Sequence, residues 1–370
     1  MQERMDLQDV FRKFRRHFVL SLVICILMVP VFDAFVLQRD RNRNMVYGEL
    51  FWSEGFAVYG ISDEDLNSTY SIPNDHLLTG VLNVTYEYPV LTLLFYATVA
   101  LVEPGFTEGT HWLANWILVF IVHINLIIFL YVGQDYWNKK WFKQFFVAFY
   151  GFGLAYSIGF AKTEPLSDLF WLCSLYLLKE RKFVHASVAL ALATQTKIYP
   201  VMSLPFFLAA SPLSLIVFIL VAGALSIPLL LSGVSYTTLL AHLSNSSSYS
   251  SIITNPFYLG LSLSNPIAIF APILLTVGII FSLYKLRVSW SSWRVILIFI
   301  TPIILVLFSW VLIWYYAWFL IPVLLLEKDD EAMNYRYVIG FIWLAHFVGI
   351  LTNFELFLNG PLAEFFGHLK

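Results

Sequence analysis

Four uninterrupted apolar runs set the terms for this chain: "FVLSLVICILMVPVFDAFVL" (18–37), "WLANWILVFIVHINLIIFLYV" (112–132), "LSLIVFILVAGALSIPLLLSG" (213–233) and "VILIFITPIILVLFSWVLIW" (295–314). Each has about the 20 residues that a helix needs to cross a bilayer. In hydrocarbon every backbone N–H and C=O must be satisfied within the protein, so such runs must be helices. Weaker or shorter apolar stretches lie at 88–103, 144–161, 165–178, 183–196, 200–210, 265–284, 315–326 and 337–357. Together they predict an all-α polytopic membrane helix bundle, with roughly ten to twelve transmembrane helices in one integral domain over 1–370. Short pieces that are broken or re-entrant are expected only where protein or a water-filled cavity covers their backbone.

Charged residues make up 12% of the chain and hydrophobic ones 59%, against about 25% charged in soluble domains. The net charge of −2 carries no basic footprint, and no nucleic-acid partner is expected. Cys25 and Cys173 both fall in apolar spans, so neither a disulfide framework nor zinc spacing is present. No internal repeat of the kind common in secondary transporters is visible. The first run exceeds a signal-peptide core and lacks a small-residue cleavage site, which reads as a permanent helix.

Arg12, Lys13, Arg15 and Arg16 precede that run, so the positive-inside rule puts the N-terminus in the cytoplasm. Residues 38–87 then form a long extracytoplasmic first loop, and 233–264 a second. Sequons at Asn67, Asn83 and Asn245 fall in these loops. The basic stretches "NKKWFK" (138–143), "KERK" (179–182) and "YKLRVSWSSWR" (284–294) also look cytoplasmic. Strict alternation puts 138–143 on the wrong side if 88–103 crosses fully: either 88–103 is re-entrant, or a span is miscounted, or the N-terminus is outside, and the shortness of 88–103 and its proline turn favour the first.

The polar segments carry the candidate chemistry. In the first loop, Val46, Tyr47, Leu50, Phe51 and Val58 recur at helical spacing, which predicts a short amphipathic helix at the membrane surface. Asp33 ends the first span and Asp40 lies in the loop beside Arg39, Arg41 and Arg43. Such an acid either serves as general base for a hydroxyl nucleophile or pairs with an arginine in a solvated loop. Glu87, with Tyr88, precedes Pro89 at the lip of an apolar run. It either faces a substrate or decorates a helix N-terminus, where negative charge is favoured. Lys162, Glu164 and Asp168 crowd another turn, as ligands for a substrate or as a mutually neutralising interfacial group. Lys197, in "LATQTKIYP", ends one apolar segment just before the next. It either snorkels at a helix C-terminus or aims its charge at a phosphate held near the membrane.

In the second loop "AHLSNSSSYSSIITNPFYLGLS" (241–262) is rich in neutral hydrogen-bonding groups that suit sugar hydroxyls or equally a flexible outer loop, and His242 is either a second proton-handling candidate or an interfacial histidine. "SWVLIWYYAWFLIP" (309–322), which includes Tyr315, is an aromatic belt or a stacking face for sugar. The acidic stretches "SDEDLN" (62–67) and "EKDDE" (327–331) read as solvated turns, and no metal site is expected.

Taken together these pieces resemble the GT-C superfamily of membrane glycosyltransferases. The likeness is greatest to the polyprenol-phosphate-mannose-dependent mannosyltransferases and the first mannosyltransferase of GPI-anchor assembly. The family's acid, tyrosine, glycine and second tyrosine after the first helix are matched by Asp40, Tyr47, Gly55 and Tyr59. Its Tyr-Pro-Pro-like helix start is matched by "YEYPVL", its Ala-x-x-x-Lys-x-x-Pro helix end by "LATQTKIYP", and its aromatic helix before a proline by "WYYAWFLIP". Asp40 lies farther from Tyr47 than the family's acid usually does, so Asp33 and Asp40 both stand as the base. Val90 replaces a common second proline.

The resemblance implies an inverting, cofactor-free hexosyltransferase, multi-pass in the cell membrane or, in a eukaryote, the ER membrane. The donor is a polyprenyl- or dolichyl-phosphate sugar, with mannose as the expected hexose, and the acceptor is a glycan or lipid hydroxyl. Asp40 or Asp33 takes the acceptor proton. Lys197, with an arginine from 39–43, neutralises the departing phosphate. Glu87, Tyr88, Lys162, Glu164, His242 and Tyr315 complete the substrate-binding set, and membrane lipids surround the bundle. A transporter or lipid flippase is the rival reading, and an acyl- or phosphotransferase on the same lipid face a third. Clustering of the polar groups in loops at one face favours chemistry over conduction.

Overall fold

The computed structural model describes residues 5–35, 38–70, 72, 77, 85–106, 111–159, 161–233, 298, 318–326 and 328–352. Among them the helices are α1 (Leu7–Phe35), α2 (Arg39–Glu54), α3 (Asp63–Thr69), α4 (Val90–Ala100), α5 (Trp112–Val132), α6 (Lys140–Leu154), α7 (Glu164–Lys179), α8 (Phe183–Thr194), α9 (Leu204–Ala210), α10 (Leu213–Leu231) and α11 (Asp329–Thr352). No strand occurs among the described residues; one isolated antiparallel bridge joins Ser62 to Thr85.

The chain divides into two units. The first is Met1–Asn138 with Phe146–Leu240 and His368–Lys370; the second is Lys139–Phe145 with Ala241–Gly367. In the second, Phe145 stacks on Tyr335 at 6.2 Å, the Tyr335 hydroxyl donates to the Phe319 carbonyl, and Lys139 pairs with Asp329. All site residues described below belong to the first.

Three described helices are long and apolar enough to cross a membrane: α1, α5 and α10. At 29 residues and 1.5 Å per residue, α1 spans about 43 Å, so it outruns a hydrocarbon core of about 30 Å. Other expected spans are shorter. Residues 88–103 supply the 11-residue α4, and 183–196 the 12-residue α8. The 200–210 stretch supplies a 3-10 turn, Tyr199–Ser203, running into α9. The predicted spans 265–284 and 295–314 lie outside the described residues, apart from helical residue 298.

Contacts at helix ends sort the first unit into two ends. At one, the Met5 N–H donates to the Gln134 side chain, Lys13 sits 4.6 Å over the Trp137 ring, and the Lys179 ammonium donates to the Val132 carbonyl. The start of α1 thus meets the ends of α5 and α7, and Arg12, Arg15, Arg16, Arg181 and Lys182 are exposed there. At the other, the Trp112 indole donates to Asp33, joining the end of α1 to the start of α5. Helix α4 does not carry the chain between these ends. The Leu91 N–H donates to the Gln195 carbonyl, while Val99 and Ala100 cluster with Met45 and Ala114 of the α5 first turn. The chain therefore enters α5 at the end where it left α1.

Helix α2 departs most from the sequence reading. It begins at Arg39, and residues 41–48 are buried around the whole circumference, whereas a helix lying on a surface keeps one face exposed. Two glycines let backbone close around it. A Cβ on Gly48 would lie 2.5 Å from the Tyr96 carbonyl carbon of α4, and one on Gly105 2.3 Å from that of Met45. The Trp52 indole donates to the Ala97 carbonyl, and Tyr47, Tyr59 and Tyr86 form an aromatic cluster, with Tyr47 and Tyr86 4.8 Å apart. Gly48→Ala therefore forces α2 and α4 apart. The expected cost is about 1–3 kcal/mol, read as a lowered thermal midpoint in detergent; an unchanged midpoint contradicts this packing.

Candidate functional site

The first turn of α7 starts inside the bundle. Asn125, past the midpoint of α5, donates to the Pro165 carbonyl at 2.7 Å, so the α7 N-terminus lies partway down α5. Before it, α6 runs into a π-helical turn, Ala155–Gly159. The Lys162 N–H then reaches back to the Tyr156 carbonyl, and Ala161 takes a positive φ of 43°. That conformation is costly for a residue with a Cβ. The buried Tyr96 hydroxyl supports it by donating to the Ala161 carbonyl at 2.9 Å. The turn delivers Lys162 to Asp40 and Glu164 to Lys197.

Asp40, in the first turn of α2, forms a close ion pair with Lys162. Its side chain is 27% exposed. Glu164, in the first turn of α7, is fully buried; its Oε1 lies 3.4 Å from the Lys197 ammonium, which is 12% exposed. The same ammonium sits 4.2 Å from the Tyr88 ring centroid, a cation–π distance. Helix dipoles favour an anion at the start of α7 and a cation just past the end of α8. The Thr92 hydroxyl donates to the Thr196 carbonyl at 2.7 Å and the Ser167 hydroxyl to the Ala193 carbonyl, fixing the Lys197 turn to α4 and α7.

Behind this lies a second charge cluster. The Arg43 guanidinium donates to Asp63 at 2.7 Å, to Glu87 at 2.6 Å and to the Thr85 carbonyl at 2.9 Å. The Tyr47 hydroxyl donates to Asp63 at 2.7 Å. Burial works against the Arg43 charge, but Glu87 and Asp63 outweigh it and hold its pKa well above the usual value. Burial raises the Tyr47 hydroxyl, which stays a donor. A third cluster joins Arg41 to Asp33 at 2.8 Å and to Asn115 and Asn42. Burial lowers the Arg41 pKa, with Asp33 opposing.

This geometry corrects several expectations. Asp33 is not placed to act as base: it is buried, with one oxygen on Arg41 and the other taking the Trp112 indole N–H at 3.2 Å. Arg41 and Arg43 are committed to internal carboxylates, which leaves them no free fork for a phosphate. Glu87 does not merely decorate a helix start, since α4 begins at Val90 and Glu87 binds Arg43. Lys162 and Glu164 do not neutralise each other; each pairs with a residue from another segment. Lys197 does not snorkel away from the bundle. The 62–67 stretch is not a solvated turn: Ser62 and Asp65 form a capping box that starts α3, and Asp63 is completely buried. His242 and Tyr315 lie outside the described residues.

Through the turn at 161–164 the structure joins Asp40 to Lys162, and Glu164 and Tyr88 to Lys197, inside the bundle, while Glu87 binds Arg43. Asp33→Asn should cost about 3–5 kcal/mol of stability, because it strands the buried Arg41; a thermal midpoint in detergent equal to that of wild type contradicts this pairing. Comparisons of the chain with protein-family models, with characterised proteins and with solved structures found no match.

Proposed function

We propose that this protein is a polytopic membrane glycosyltransferase that moves a hexose, mannose by resemblance, from a polyprenyl-phosphate sugar to an acceptor hydroxyl. The observation that carries the reading is the meeting of an accessible carboxylate and a cation from segments far apart in sequence. Asp40 touches Lys162, and Glu164, two residues beyond Lys162, pairs with Lys197. A group transfer from a phosphate-linked donor needs both a base for the attacking hydroxyl and a positive charge where the leaving phosphate gathers negative charge.

In this mechanism Asp40 accepts the proton of the acceptor hydroxyl as its oxygen attacks the anomeric carbon. The bond from that carbon to the phosphate oxygen breaks, and the electron pair leaves on the prenyl phosphate beside Lys197. One direct displacement inverts the anomeric centre. Lys162 holds Asp40 in place, and Tyr88 fixes the Lys197 ammonium through its ring. Prenyl chains lie against apolar helix faces. The basic end, with Arg12, Arg15, Arg16, Arg181 and Lys182, faces the cytoplasm by the positive-inside rule, and the site opens on the other side.

The test supplies purified protein in detergent with mannosyl-labelled phosphoryl prenol and a total lipid extract as acceptor. Transfer of label to a new lipid, with release of prenyl phosphate, supports the reading. Intact donor after prolonged incubation refutes it.

A further inference from the structure

Glu164 is fully buried, and neither of its oxygens accepts a hydrogen bond among the described residues. Its compensation is electrostatic, from Lys197 at 3.4 Å and the α7 N-terminus. Few titratable groups face it. Tyr96 of α4 and Tyr199 of the turn after α8 feel its charge, and Tyr88 shares Lys197. Asp168, one turn along α7, accepts the Tyr199 hydroxyl at 2.7 Å. Lys162, two residues before it, is engaged by Asp40. Among the described residues Lys197 is the cation that meets Glu164. A buried carboxylate that loses its counter-charge neutralises rather than remain ionised in an apolar site.

We propose that Glu164 is the positioning residue for Lys197 and takes up one proton when a donor phosphate draws that ammonium away. This rests on the reading of Lys197 as the phosphate-binding cation. In the resting protein Glu164 holds Lys197 against Tyr88. When the phosphodiester arrives, the ammonium turns to the phosphate oxygens, and a solvent proton bonds to a Glu164 oxygen. The charge of the buried group is unchanged, because a neutral ion pair becomes a neutral acid. Donor affinity therefore falls as pH rises.

The test uses the full chain in detergent and citronellyl phosphoryl mannose, a phosphodiester that does not titrate near neutral pH. Calorimetric titration in two buffers of different ionisation enthalpy reads the protons exchanged. About one proton taken up per ligand is expected, with the dissociation constant rising up to about tenfold per pH unit. Glu164→Gln should bind without uptake and with a flat pH profile, and Lys197→Gln should bind weakly without uptake. Wild-type binding that needs Lys197 but takes up no proton overturns this proposal and leaves the phosphate reading standing. Uptake that persists in either variant assigns the proton elsewhere and also overturns it. No wild-type binding, or binding indifferent to Lys197→Gln, removes the phosphate reading and this inference together.

Discussion

Asp40→Asn should lower sugar transfer by about 10²- to 10⁴-fold, the usual contribution of a positioned general base, while leaving the fold nearly as stable as wild type. The two halves of this expectation come from different features of Asp40. Asn keeps the shape of the side chain but cannot take a proton from the attacking hydroxyl. Asp40 is part-exposed, so water and the amide oxygen that replaces its carboxylate still solvate the Lys162 ammonium, and the loss stays well below the roughly 3–5 kcal/mol of a fully buried pair. Initial transfer rates and a thermal midpoint, measured on one preparation, separate the two. Near-normal transfer by Asp40→Asn would remove the base from this account.

Arg43→Met has the opposite profile. Arg43 is buried and is the cation between Asp63, itself completely buried, and Glu87. Removing it strands two carboxylates, and breaking a buried pair from one side costs about 3–5 kcal/mol. Total stabilities are only about 5–15 kcal/mol, so we expect a large fall in folded yield or a steep drop in the denaturant midpoint. Arg43→Lys should rescue little. A lysine has no planar fork to reach Asp63, Glu87 and the Thr85 carbonyl at once. A stable Arg43→Met protein would mean that the cluster is solvated.

Helices α1, α5 and α10 were legible because each is a long apolar run, and length and hydropathy suffice to name such a helix. Helix α2 was only half legible. Its apolar positions from Val46 onward have helical spacing, but its first turns read "RDRNRN", which looks like a solvated loop. Hydrophobic periodicity detects burial against apolar neighbours. It is blind to a helix whose polar face is buried against carboxylates from elsewhere in the chain, as Arg41 is against Asp33 and Arg43 against Asp63 and Glu87. The same blindness made Asp63 look exposed. Ser62 and Asp65 form the capping box that begins α3, and nothing local says that Asp63, between them, meets an arginine 20 positions earlier.

Lys162, Glu164 and Lys197 were legible as candidates, because charge beside apolar runs is expensive and invites explanation. Their partners were not, since the nearest opposite charge in sequence is not the nearest in space. The left-handed turn at Ala161 decides that pairing, and an alanine there carries no signal of positive φ as a glycine would.

The most direct measurement is made in sealed proteoliposomes with the protein inserted in a known orientation and labelled mannosyl phosphoryl prenol offered on one face at a time. The account predicts cleavage of donor offered on the face away from the N-terminus, with prenyl phosphate released there, and loss of that release in Asp40→Asn and Lys197→Gln. Intact donor crossing the bilayer without cleavage, or cleavage on the face that carries Arg12, Arg15 and Arg16, would contradict it.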